Sequence, residues 1–257
     1  MEYFTRWVAC FAAVIGVLTA DVTAARDLEA IKKSGVLIGG TEGSYPPFNF
    51  FKGATLTGFE IELAEALAKR LGVKMQWRAL GFDALLPALN QDRFDIAVSS
   101  FGVTPERQKA VDFTDPYYCS GGQIVARPGG PRTAADLAGK VVAVQIGTTY
   151  AEAVKRASTI KEAKTFPRDT DAQQNLISGR VDAWVTDRFV IFDVMGKNPK
   201  LSLQRGELLF TERIAFAVEK GNDGLRVAVN RALADLLADG TYRTISEKYF
   251  KEDIRCR

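Results

Sequence analysis

The chain has 257 residues, 47% of them hydrophobic, with 34 basic and 31 acidic side chains, no histidine and a formal charge of +3. That is enough apolar material for one large or two ordinary cores, which excludes a disordered chain. The two signs of charge are interspersed, leaving no basic run for a nucleic-acid partner. With no histidine and only scattered cysteines, neither a metal nor another cofactor is expected.

Residues 1–25 read as a secretory signal peptide. Arg6 precedes an apolar run from Trp7 to Leu18, and Val22-Thr23-Ala24-Ala25 offers cleavage after Ala24 or Ala25. The alternative, a membrane anchor, needs ~20 apolar residues, more than this run supplies. Export leaves Cys119 and Cys256, which either pair in an oxidising compartment or remain free thiols.

Val36 to Gly40 is a short apolar strand, and Gly43, Pro46 and Pro47 make the following stretch a loop that carries Glu42 and Tyr45. Phe59, Leu63, Leu67 and Leu71 recur at helical spacing, with the pair Glu65 and Lys69 off the stripe and Gly72 as the stop. A strand over 73–79 and a helix over 82–90, opening on Phe82, lead to the buried strand Phe94 to Val98. Directly after it come Ser99 and Ser100, then Thr104-Pro105, an N-cap and first helical residue that place Arg107 in the first turn. This alternation of strand and helix implies a parallel sheet with right-handed crossovers. Ligands bind outside the carboxyl ends of such strands. There two hydroxyls, helix-start N–H groups and a forked cation converge where a carboxylate fits.

A strand over 123–127 ends at the break Pro128-Gly129-Gly130-Pro131, and a second α/β unit follows. Its expected elements are a strand at 140–145, a turn at Gly147, a helix from Thr148 to about Ala157, a strand at 163–166, a helix at 169–178 and a strand at 181–185. A strand at 214–218 and helices at 225–237 and 241–250 close the chain. The expected lobes are therefore 26–126 with 214–257, and 127–213, joined by hinge crossings near Arg127 and Arg213. The lobes echo one another. Between 89–100 and 176–187, Leu89, Arg93, Asp95 and Val98 match Leu176, Arg180, Asp182 and Val185, and Ser99-Ser100 stand against Thr186-Asp187.

Taken with the stretches TEGSYPPFNF (41–50), GFEIELAEALAKRLG (58–72), FDALLPALNQDRFDIAVSSFGVTPERQKAVDFTDPYY (82–118), DLAGKVVAVQIGTT (136–149), GRVDAWVTD (179–187) and DGTYRTISEKYF (239–250), the mature chain resembles the polar amino acid-binding proteins of ABC importers. This solute-binding family 3 includes the glutamine, histidine and lysine/arginine/ornithine binders. The resemblance implies an α/β fold of the periplasmic-binding-protein type (Venus-flytrap, type II), with two lobes and two hinge crossings. It also implies a periplasmic monomer, without enzymatic activity, that traps a free amino acid and serves an ABC transporter membrane permease.

Carried over by position, Arg107 would grip the α-carboxylate, helped by Ser100, Gly102 and the helix start at Thr149, with Thr148 and Tyr150 beside it. Asp187 would pair with the α-ammonium, with Ser99 next to that group. Tyr45 and Phe82 would flank the ligand side chain and Glu42 would face its end, favouring arginine, ornithine, lysine or histidine, then glutamine. Gly102 departs from a serine found in several relatives, and Tyr150 from a glutamine found in some. Other function classes remain open: a cyclohexadienyl or arogenate dehydratase-like enzyme, with Glu42 as general acid, or a sensory module reporting to a membrane partner.

Overall fold

The computed structural model describes residues 26–157 and 159–256, so the expected signal peptide lies outside the described residues. Helix α1 (Leu28–Ser34) leads into β1 (Val36–Thr41), followed by a small antiparallel sheet of β2 (Ser44–Tyr45), β3 (Asn49–Lys52) and β4 (Thr55–Thr57). Next come α2 (Phe59–Leu71), β5 (Lys74–Ala79), α3 (Phe82–Leu89), β6 (Ile96–Gly102), α4 (Pro105–Ala110), β7 (Val111–Phe113), β8 (Tyr118–Ser120) and β9 (Gly122–Ala126). The second α/β unit comprises β10 (Val141–Gln145), α5 (Thr149–Arg156), β11 (Glu162–Phe166), α6 (Asp169–Ile177), β12 (Ala183–Asp187), α7 (Arg188–Lys197) and β13 (Gln204–Leu208). The chain then returns through β14 (Glu212–Glu219), α8 (Asp223–Ala238) and α9 (Thr241–Phe250).

The first large sheet has the order β5-β1-β6-β14-β7, with β8 also paired to β14, and the second has the order β11-β10-β12-β9-β13. In each, three parallel strands come from one α/β unit and an antiparallel neighbour arrives across the hinge. This is the two-lobed α/β architecture. Helix α2 buries Phe59, Leu63 and Leu67, as its apolar stripe requires, and stops at Gly72, whose φ of +77° suits glycine. Stacked and edge-on rings continue the core behind the hinge. Phe48 lies 5.0 Å from Tyr118, and Phe250 lies 5.2 Å from both Phe59 and Phe189, the last on α7 of the second lobe. No helix among the described residues is long and apolar enough to cross a membrane.

The structure corrects two sequence expectations. Strand β6 runs to Gly102 instead of ending at Val98, because β14 supplies an antiparallel partner that the local pattern does not announce. Ala97 pairs with Ala217 and Phe101 with Ala215, so β6 bulges between them and Ser100 takes a φ of +50°. Gly122–Ala126, expected in the first lobe, instead lies between β12 and β13 in the second sheet. The first crossing is therefore at Gly121 and not near Arg127.

The second crossing is the short link between β13 and β14, beside the expected Arg213. There the strands run antiparallel, Ser120 opposite Glu212 and Cys119 opposite Arg213. A Cβ on Gly121 would stand 1.9 Å from the Phe210 carbonyl oxygen, so only glycine lets the two crossings approach this closely. Cys119 and Cys256 are joined in a disulfide that ties the C-terminal tail to the first crossing strand.

Candidate functional site

The polar groups of the first lobe gather at the β6 bulge. Ser99 and Ser100 are buried, and their hydroxyls make no hydrogen bond of normal geometry within the protein. The backbone around them is held by Glu60, a fully buried carboxylate on α2. Glu60 accepts from the Ser100 N–H at 2.6 Å, from Asn49 Nδ2 at 2.7 Å and from the Tyr117 hydroxyl. Burial raises its pKa, and these donors oppose the rise.

Thr104 caps α4 by accepting from the Arg107 N–H at 3.2 Å, which frees the Arg107 side chain to leave the helix. Its guanidinium donates to the Gly102 carbonyl at 2.8 Å and, across the cleft, to the Gly147 carbonyl at 3.0 Å. It also lies 5.7 Å from the Phe82 ring and 5.4 Å from the Phe101 ring, which stack on each other at 4.8 Å. Burial lowers the Arg107 pKa, while nearby Glu212 favours its charge.

The second lobe answers with Asp187, fully buried at the end of β12. Its Oδ1 caps α7 through the Phe189 N–H at 2.7 Å, and its Oδ2 accepts longer bonds from Tyr118 at 3.4 Å and Tyr150 at 3.3 Å. Those long contacts leave Oδ2 with capacity for a stronger donor. Burial pushes the Asp187 carboxyl up to about 6 against the pull of the Phe189 N–H. On α5, the Thr148 hydroxyl accepts from the Ala151 N–H at 3.1 Å, and the N–H groups of Thr149 and Tyr150 begin the helix without intrahelical acceptors.

At the far wall Glu42 accepts from Ser44 at 2.6 Å and, across the cleft, from Gln145 Nε2 at 2.8 Å. Burial pushes the Glu42 carboxyl up to about 7, and these two donors oppose the rise. Asp169 opens α6 and takes bonds from Trp184 Nε1 at 2.8 Å and Thr186 Oγ1 at 3.0 Å. Burial also carries this carboxyl to about 7, with the charges of Glu42 and Asp187 adding to the rise. The Tyr45 hydroxyl lies 3.4 Å from Thr186 Oγ1.

Glu42, Tyr45, Phe82, Ser99, Ser100, Arg107, Thr148, Thr149 and Tyr150 line one small cavity between the lobes, joined by Gln145. Gly102 and Asp187 are absent from that lining. Gly102 touches it through the Arg107 guanidinium, and Asp187 through the Tyr150 hydroxyl. Sequence reasoning missed Gln145, Asp169, Glu60 and Glu212. The first two end a strand and begin a helix in the second lobe, the same signal that singled out Ser99 and Arg107. Glu60 and Glu212 carried no such mark. A buried charge needs a matched opposite or it costs several kcal/mol. A guest with one anionic end toward Arg107 and one cationic end toward Asp187 meets that demand at both ends.

The chain matches the profile of the bacterial extracellular solute-binding proteins, family 3, over residues 37–252. It is 37% identical over 231 residues to the L-cystine-binding protein TcyJ of Escherichia coli strain K12, covering 88% of this chain and 87% of that protein. An ancestral arginine-binding protein bound to arginine superposes with a TM-score of 0.80 at 40% identity, covering 84% of this chain and 98% of the other. The ancestral amino acid-binding protein AncCDT-1, a precursor of cyclohexadienyl dehydratase, superposes with a TM-score of 0.80 at 39% identity, over 87% of this chain and 99% of that one. Amino acid-binding relatives thus match in sequence and in two-lobed structure, and the chain belongs to the bacterial extracellular solute-binding proteins, family 3.

Proposed function

We propose that this protein captures one free L-amino acid with a cationic or hydrogen-bond-donating side chain and delivers it to the membrane permease of an ABC transporter. It works as a periplasmic monomer once residues 1–25 are removed, and it carries out no reaction. The observation that supports this most is the division of charge across the cleft. Arg107 stands on the first lobe and Asp187 on the second, so only closure offers a zwitterion both of its counter-charges.

In this reading Arg107, Ser100, Gly102 and the α5 N-terminus at Thr148 and Thr149 take the α-carboxylate. Asp187, with Ser99 and Tyr150 beside it, takes the α-ammonium. The side chain runs between Tyr45 and Phe82 toward Glu42, and the charge of Asp169, outside the cavity lining, adds to a field that favours an ammonium or guanidinium. A calorimetric screen of the common amino acids with ornithine and cystine tests it. Tightest binding to arginine, lysine, ornithine or histidine is expected, and tightest binding to glutamate or a branched aliphatic would overturn the ligand class.

Cystine is the second reading. It is supported by the 37% identity with an L-cystine-binding protein, and the far ammonium of cystine could meet the same field. The dehydratase alternative draws on one neighbour that is itself an amino acid-binding protein. Prephenate or arogenate incubated with the protein is expected to yield no aromatic product.

A further inference from the structure

Glu212 is a half-buried acid without a role in the reading above. It opens β14 on the second crossing, and its Oε2 is shielded from water with no hydrogen-bond partner. That oxygen lies against the Cα of Gly102. A methyl group built there would stand 2.0 Å from Oε2 and 3.3 Å from Thr149 Cγ2. Gly102 and Thr149 are the residues proposed to meet the α-carboxylate of the guest, and Arg107 acts on Glu212 electrostatically. An ionised carboxylate at this point would repel the guest's own anion in a poorly solvated space. A protonated carboxyl instead has one O–H to give.

We propose that Glu212, carrying a proton, donates a hydrogen bond to the α-carboxylate of the captured amino acid, so that capture takes up a proton from solvent and release returns it. The inference rests on the carboxylate end of the proposed binding mode and adds a group to it. Glu212 thereby supplies the donor that a serine at position 102 would provide, from the space that serine would fill.

Burial pushes the Glu212 carboxyl up to about 7. Asp187 at the end of β12 adds to that rise, while Arg107 from α4 and the hydroxyls of Thr149 and Tyr150 from α5 oppose it. A solvent-facing groove, lined among others by Glu106, Glu152, Arg156 and Arg213, reaches Glu212 from outside the cleft and gives the proton a path.

The test is calorimetry of L-arginine, L-glutamine and L-cystine in buffers of different ionisation enthalpy, which counts protons exchanged on binding. Between about pH 7 and about pH 8.5 the parent protein is expected to take up as much as about one proton per ligand, its affinity falling by up to about tenfold per pH unit. Glu212→Gln keeps a donor that does not titrate, and it should lose most of the uptake and slope near pH 7, keeping only the uptake by the ligand's own α-amine that grows toward pH 8.5 and is common to parent and variant. Glu42 and Asp169 titrate in the same range but act on the side-chain end. Their contribution therefore differs between L-arginine and L-glutamine, whereas that of Glu212 is common to both.

Gly102→Ser alone should weaken binding through its clash with Glu212. The double variant Gly102→Ser/Glu212→Ala should bind more tightly than either single variant and take up no more protons than Glu212→Gln. Equal proton uptake in parent and Glu212→Gln, or a double variant no better than Glu212→Ala, would overturn the proposal while leaving amino acid capture intact. If none of the three amino acids binds the parent protein, the binding mode itself fails and this inference falls with it.

Discussion

The third strands of the two lobes begin alike and end differently. Asp95 accepts from the Ile38 N–H at 2.7 Å and Asp182 from the Val141 N–H at 2.8 Å, so each lobe pins its first strand with a carboxylate placed just before its third. At the carboxyl ends the likeness stops. The first lobe offers neutral donors, Ser99 and Ser100, set out by a bulge that Glu60 holds, and recruits its cation from the next helix. The second lobe ends its strand directly in an acid, Asp187, which caps the following helix and is surrounded by tyrosine hydroxyls. In the proposed binding mode one scaffold thus yields an anion-accepting end, where backbone N–H groups and hydroxyls stand beside a single guanidinium, and a cation-accepting end, where a carboxylate is buried.

Removing the charge from either end should break this division most severely. Arg107→Ala is expected to weaken every amino acid alike by roughly thirtyfold to several-thousandfold, the consequence of losing about 2–5 kcal/mol from a buried charge pair, as read by calorimetry. Asp187→Asn should cost a similar factor while keeping the helix cap. Asp187→Ala should also lower the unfolding free energy by about 1 kcal/mol in urea titration, because the cap goes too. Parent-like binding by Asp187→Asn would mean that the second lobe supplies no counter-charge.

Glu42→Gln sharpens the comparison at the far wall. L-arginine is expected to lose about tenfold to a hundredfold in affinity and L-glutamine much less, since only the former leaves a buried cation short of its acid. Equal losses for both ligands would reassign Glu42 to a structural role.

Acidity gives a smaller effect with a definite sign. Glu42 and Asp169 have carboxyls carried up to about 7, and a cationic side chain favours their ionised forms. The share of L-arginine affinity that these two carboxyls supply is therefore fully present above that value and should be lost as pH drops through it, by up to about tenfold per unit for each carboxyl that must ionise, on the acid side of the fall expected from Glu212. The same titration with L-glutamine should be flatter on the acid side.

The smallest effect tests the shared beginning of the strands. Asp182→Ala leaves the Val141 N–H without its acceptor and should cost about 1–3 kcal/mol of stability. Asp95→Ala should cost about 0.5 kcal/mol more, because it also releases the partly exposed Arg26, whose ion pair with Asp95 is screened by solvent.

Much of this architecture is written locally. The stripe of Phe59, Leu63 and Leu67, the cap at Thr104-Pro105, the stop at Gly72 and the repeat of Arg and Asp before two strands each depend on neighbours within a few residues. They place the strand ends and with them Glu42, Arg107 and Asp187. The small sheet β2-β3-β4 was not legible, since its strands are short and lie in a stretch dominated by glycine and proline.

Only the tertiary structure decided that β6 bulges, that Gly122–Ala126 belongs to the second sheet and that Cys119 meets Cys256, because in each case the partner lies far along the chain. It also decided which acids are buried. Glu60 sits on an amphipathic helix among solvated glutamates, and Glu212 on a strand with no special signal, yet groups that arrive from elsewhere bury Glu60 completely and shield Oε2 of Glu212. Residue type and spacing fix where a carboxyl can be, but its protonation depends on what excludes solvent from it, and that is a property of the assembled fold.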